Sequence, residues 1–81
     1  MVVNERKEGI WIWYYRNEYI ILIENYKNGK IEGIYTGYYI NGNIRYTGNY
    51  RNGKREGKCI SYYINGNIEF IFYYRNGIKI D

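Results

Sequence analysis

The 81-residue chain has no histidine, no proline, no alanine and no glutamine, and it has a single cysteine, Cys59, and a single aspartate, Asp81. Without histidine, neither a Ser-His-Asp nor a Cys-His arrangement can be assembled. Zinc sites draw on clusters of Cys and His, and one cysteine does not make a cluster, so neither a metal nor a cofactor is expected. A lone thiol also excludes an internal disulfide, and no signal-peptide pattern opens the sequence. The longest wholly apolar run, Ile10–Tyr15, is far too short to span a bilayer. The expectation is a soluble, cytoplasmic, single-domain protein (1–81) with no integral membrane contact. Its size is close to that at which one hydrophobic core is barely enough.

What is present is aromatic and aliphatic. Thirteen tyrosines stand beside abundant isoleucine, and both residue types suit a pleated, half-buried surface. Isoleucine, asparagine, tyrosine and lysine also rise together in AT-rich genomes, so the tyrosines argue for β-structure and not for tyrosine chemistry. The net charge of +4 permits an acidic partner without requiring one.

The heptapeptide YYINGNI occurs at Tyr38–Ile44 and again at Tyr62–Ile68. Aligned with a period of 24 and no gaps, Gly9, Gly33 and Gly57 coincide, as do Tyr26, Tyr50 and Tyr74, and Asn28-Gly29, Asn52-Gly53 and Asn76-Gly77. One unit is therefore written three times, at 9–32, 33–56 and 57–80, with a partial N-terminal cap at 1–8. A second Asn-Gly lies midway, at Asn41-Gly42 and Asn65-Gly66, and Asn-Gly between alternating apolar runs is a strong hairpin signal. Each unit then reads as two antiparallel strands. The fold class is all-β: a single-layer antiparallel meander of about six strands, built from three 24-residue β-hairpin repeats and strongly twisted or curled. The strands fall near 9–16, 19–26, 33–40, 44–51, 57–64 and 68–75, with a further short segment at 78–81.

Alternation assigns even positions such as Ile10, Ile12, Leu22, Ile34, Tyr46, Ile60 and Phe70 to one apolar face. That parity persists along the chain if every connection has an odd number of residues, as in a type I turn with a glycine bulge. No helix or second layer remains to cover such a face. Curling, a second copy of the chain or another partner could do so, and curling with some self-association is the expectation. The odd positions are polar in the second unit and mixed in the third. In the first they are apolar throughout: Trp11, Trp13, Tyr15, Tyr19, Ile21 and Ile23. Two explanations stand for this hairpin. It is the packed interior of a rolled sheet, or it anchors another protein or a second copy, a role that suits Trp and Tyr.

The units GIYTGYYINGNIRYTGNYRNGKRE and GKCISYYINGNIEFIFYYRNGIKI resemble the MORN repeat, in the variant form of bacterial and viral proteins. Gly33, Tyr38, Tyr39, Gly42, Tyr50, Gly53 and Gly57 carry the resemblance, which runs from Asn4 to the end. The first unit departs from the pattern, with Asn17-Glu18 in place of Asn-Gly. The resemblance implies a single-layer hairpin ribbon that serves as a binding or scaffolding module. Bacterial examples are often described as antitoxin-like, and eukaryotic relatives are associated with membranes and protein assembly.

Glu8, Glu32 and Glu56 share one column of the repeat. Two strands apart, they stand roughly 9–10 Å from one another, without the cleft that paired catalytic carboxylates need. Pairing with nearby Lys or Arg is expected of them, and no enzyme activity. The Asn-Gly-Lys turns recur every two strands and so share one edge, a basic rim that includes Lys30, Arg51, Lys54, Arg55, Lys58 and Arg75. Three functional readings follow. The first is a non-enzymatic protein-binding module, a small inhibitor or antitoxin-like protein that masks another protein, a reading that includes one encoded by a phage or mobile element. The second is single-stranded nucleic-acid binding through the basic rim and aromatic face. The third is a self-assembling structural module, a homodimer being its smallest form.

Overall fold

The computed structural model describes residues 7–80. Residues 1–6 of the expected cap, and Asp81, lie outside the described residues. Among the described residues nine strands form one antiparallel sheet: β1 (Gly9–Tyr14), β2 (Ile20–Lys27), β3 (Lys30–Ile31), β4 (Gly33–Tyr38), β5 (Ile44–Arg51), β6 (Lys54–Arg55), β7 (Gly57–Tyr62), β8 (Ile68–Arg75) and β9 (Ile78–Ile80). The spatial order is β1-β2-β4-β5-β7-β8-β9, with β3 beside β2 and β6 beside β5. Six long strands stand where the alternation places them. The count rises to nine because a short segment follows each Asn-Gly turn and folds back on the strand before it, β3 on β2, β6 on β5 and β9 on β8.

Two turn types alternate along the chain. Asn28-Gly29, Asn52-Gly53 and Asn76-Gly77 each have positive φ at both residues, near 50° and 80°. Lys27 pairs directly with Lys30, and Arg51 with Lys54. These are two-residue hairpins of the I′ kind, whose twist matches that of the strands. The midway turns are different. The Gly42 amide donates to Tyr39 O at 2.9 Å and the Tyr39 amide to Asn43 O at 2.8 Å. This is a three-residue loop with Gly42 at φ 90° as its bulge, the odd-length connection expected. The first hairpin has the same turn, closed by the Tyr15 amide on Tyr19 O at 2.7 Å, and Glu18 is held at φ 70° where its counterparts are glycine.

The expected even-numbered apolar face does not exist. The Asn-Gly turns have an even number of residues, and the register of each long hairpin slips at a bulge, between Trp13 and Tyr14, Gly37 and Tyr38, and Ser61 and Tyr62. Beyond the bulge the direct pairs join odd to even positions: Trp13 with Leu22, Tyr35 with Gly48, Gly37 with Tyr46, Cys59 with Phe72. Directly paired residues share a face, so one face takes odd positions from the first strand of each unit and even positions from the second. This aromatic face carries Trp11, Trp13, Tyr26, Tyr35, Tyr46, Tyr50, Phe70, Phe72 and Tyr74. Ile10, Ile12, Ile34 and Ile60 lie opposite.

Nor does curling close the sheet. Among the described residues it is open, with β1 and β9 at its two ends, and its extents are 49 × 37 × 14 Å. The core is confined to the middle hairpin, where Tyr35 is only 7% exposed. Its ring makes an edge-on contact with Tyr50, centroids 4.9 Å apart. A methyl on Gly37 would enter the ring of Tyr46, and one on Gly48 would meet the Tyr35 hydroxyl and Cys59 Sγ. Tyrosine rings thus lie across glycines of the neighbouring strand and bury themselves on the sheet's own surface. That is how a single layer obtains a core without a second one.

Candidate functional site

Three surfaces carry the residues singled out in the sequence. The first is the hairpin of β1 and β2. All six residues of β1 are exposed, and among the described residues β1 ends the sheet. The packed-interior explanation of this hairpin is therefore overturned. Trp11 and Trp13, 37% and 43% exposed, are tilted against each other with centroids 6.2 Å apart. Both are on the aromatic face beside Tyr26, whose ring meets Trp11 at 6.1 Å. The other members of the predicted cluster lie elsewhere. Ile23 pairs with Ile12 on the opposite face, and Ile21 is the extra residue at the bulge. Tyr15 donates its hydroxyl proton to Tyr38 O at 2.9 Å, tying the first unit to the second. Tyr19 belongs to the turn and is half exposed.

Sequence reasoning missed three residues here. Glu24 accepts hydrogen bonds from Trp13 Nε1 at 3.0 Å and from the Tyr26 hydroxyl at 3.3 Å. Burial first, and then Glu24, raises the Tyr26 phenol above its ordinary value. The Lys7 ammonium lies 4.7 Å from the Trp11 ring centroid, 5.0 Å from Tyr26 and 5.4 Å from Trp13. The wrong parity hid this grouping, since it assigned Glu24 and Tyr26 to the face away from the tryptophans. The direct pairing of Trp11 with Glu24 follows only once the bulge is known.

The second surface is a shallow groove of about 340 Å³ over the middle hairpin, lined by Leu22, Glu24, Tyr35, Tyr46, Tyr50, Cys59, Phe72 and Tyr74 among others. Burial, followed by a 3.2 Å hydrogen bond with Cys59 Sγ, pushes the Tyr35 phenol well up. Burial also raises Tyr46. Tyr35 and Tyr46 are therefore neutral phenols at pH 7.

The third surface is the turn edge. Lys27, Lys30, Arg51 and the acidic Glu32 line a depression there with Asn28, Gly29 and Asn52. The stem of Lys30 packs against Gly53 and that of Lys54 against Gly77, so each aliphatic stem lies against the turn of the next unit. Arg75 closes the last turn opposite Ile78. Two predicted rim residues belong elsewhere. Arg55 turns onto the aromatic face, its guanidinium 5.4 Å from the Tyr74 centroid, and Lys58 is in β7 opposite Tyr73. Among the described residues the column glutamates pair with backbone rather than with Lys or Arg: Glu8 accepts from the Asn28 amide, Glu32 from Asn52 and Glu56 from Asn76, at 2.8–2.9 Å. Among the described residues there is no cluster of three metal-ligating side chains, and no helix is long and apolar enough to cross a membrane.

A one-layer ribbon of stacked hairpins, each clipped to the next through turn amides and tyrosine hydroxyls, defines a β-hairpin repeat protein. The family model described as "MORN repeat variant" matches residues 7–28, 31–52 and 55–76, and the chain belongs to that family. Repeats of this family are non-catalytic modules that generally bind proteins or membranes, which agrees with a binding role and no enzyme activity. No curated protein and no solved structure matches the chain.

Proposed function

We propose that the protein is a non-catalytic module that captures another protein through its first hairpin, as a small inhibitor or antitoxin-like mask would. The observation that carries this reading is β1, the end strand among the described residues, whose six residues are all exposed and include both tryptophans. An edge with no further strand among the described residues suits strand addition, and flanking aromatics supply anchoring area at low entropic cost. The basic turn edge speeds encounter with an acidic partner. The test is affinity capture with mass spectrometry, followed by a binding measurement on the purified pair. The double variant Trp11→Ala/Trp13→Ala is expected to lose binding by at least about 2 kcal/mol while keeping the far-ultraviolet circular dichroism of the parent. Unchanged affinity would refute the assignment. A second copy as the occupant would show as a mass that rises with concentration in light scattering.

The basic turn edge favours a second reading, single-stranded nucleic acid, because Lys27, Lys30 and Arg51 converge around the Asn28-Gly29 turn. Affinity would then fall steeply with salt as counterions are released. No binding of a single-stranded oligonucleotide at low ionic strength would dismiss it.

A further inference from the structure

The grouping around Lys7 has the composition of a cation receptor. Three aromatic faces surround one ammonium at 4.7–5.4 Å, within the range over which ring quadrupoles attract a cation. Glu24 braces two of those rings, through Trp13 Nε1 and the Tyr26 hydroxyl, and adds a negative charge on the same face. The repeat shows what is special about this unit. In the middle unit the columns of Trp13 and Glu24 hold Gly37 and Gly48, and tyrosine rings fill the space over them. In the first unit tryptophan and glutamate occupy those columns, and an ammonium takes the space.

We propose that Trp11, Trp13, Tyr26 and Glu24 form a binding site for a quaternary ammonium group, such as the trimethylammonium of choline, and that Lys7 fills it in the ligand's absence. A primary ammonium is compact and strongly hydrated, so seating it among rings forfeits much of its hydration. A trimethylammonium group is weakly hydrated and presents methyls to all three faces. Lys7 therefore acts as a tethered competitor that a better-suited cation displaces. Its contribution to the fold is its carbonyl, which accepts the Gly29 amide at 3.1 Å and is kept when the side chain is shortened. The site shares Trp11 and Trp13 with the surface proposed to anchor another protein, so it is tested on the free chain.

Both tryptophans of the chain belong to the site, so their fluorescence reports on it directly. Titration with tetramethylammonium and with choline is expected to give a saturable change. Lys7→Ala should bind about tenfold tighter than the parent, because an intramolecular competitor has been removed. Glu24→Gln should bind more weakly than Lys7→Ala in the same background, and 3,3-dimethylbutan-1-ol, the neutral isostere of choline, should give no response. Sedimentation with phosphatidylcholine vesicles separates the sources of the group: pelleting reversed by free choline assigns a lipid headgroup, and no pelleting assigns a small free ligand. No saturable response in a Lys7→Ala protein that retains the parent's circular dichroism would overturn the proposal. An equal response to the neutral isostere would overturn it too.

Discussion

The Glu32 carboxylate accepts the amide proton of Asn52 at 2.9 Å, twenty residues further along the chain. Glu8 and Asn28, and Glu56 and Asn76, repeat the relationship at 2.8 and 2.9 Å. At the other end of the hairpins, Tyr15 donates to Tyr38 O and Tyr39 to Tyr62 O, at 2.9 and 2.7 Å. Each unit is clipped to its neighbour at both edges by a side chain that reaches main-chain atoms. The junctions consequently depend on the glutamate and tyrosine columns and tolerate variation between them.

Removing a clip should weaken the junction. Glu32→Ala is expected to lower unfolding free energy by about 1–2 kcal/mol and Tyr39→Phe by about 1 kcal/mol, with near-additive losses since the sites are at opposite edges. Tyr63→Phe is the control, because Tyr63 shares the column of Tyr39 but has no following hairpin among the described residues. Urea denaturation of the three variants measures these differences.

Glu18 holds φ 70° in a turn whose other copies use Gly42 and Gly66 at 90° and 94°. A residue with a Cβ sits there at a cost of about 1 kcal/mol or more. Glu18→Gly is therefore expected to stabilise the protein by roughly 1 kcal/mol, seen as a higher denaturation midpoint at unchanged slope.

Gly37 and Gly48 face the opposite outcome. A methyl on Gly48 would come within 2.7 Å of Cys59 Sγ, and one on Gly37 would fall inside the ring of Tyr46. Each substitution to alanine should destabilise by about 1–3 kcal/mol through overpacking. Near-ultraviolet circular dichroism of the tyrosines should change with it.

Alkaline pH should also loosen the core. Burial, with the Cys59 hydrogen bond, raises the folded Tyr35 phenol above its ordinary value of 10.0. The unfolded chain then ionises first. The stability linked to this group is fully present below pH 10 and is lost as pH climbs towards the folded value. Tyr35→Phe should be less stable at pH 7 but decline less between pH 9.5 and 11, as denaturation midpoints across that range will show.

Strand positions were legible because Tyr, Ile and Asn-Gly recur at fixed spacing, and β5 and β8 begin and end where the alternation places them. Facing was not legible. Asn28-Gly29 and Asn41-Gly42 are the same dipeptide, yet one closes a two-residue turn and the other ends in a bulge, a difference set by hydrogen bonding. A single-residue slip transfers every side chain to the other face, which is why Ile12 and Trp13 exchanged their expected neighbours. Trp11 and Trp13 were recognisable from their chemistry alone. Lys7, Glu24 and Tyr26 were not, since only the register brings them to the tryptophans.

Because Tyr35 and its glycine-seated neighbours occupy the middle hairpin, resistance to opening is distributed unevenly along the ribbon. Amide protons of β4 and β5 should exchange slowest, with protection fading outward to both ends. The hairpin carrying the tryptophans is then among the first to come undone. Any ligand held there would act as a splint, slowing exchange in β1 and β2 while leaving the centre as it was.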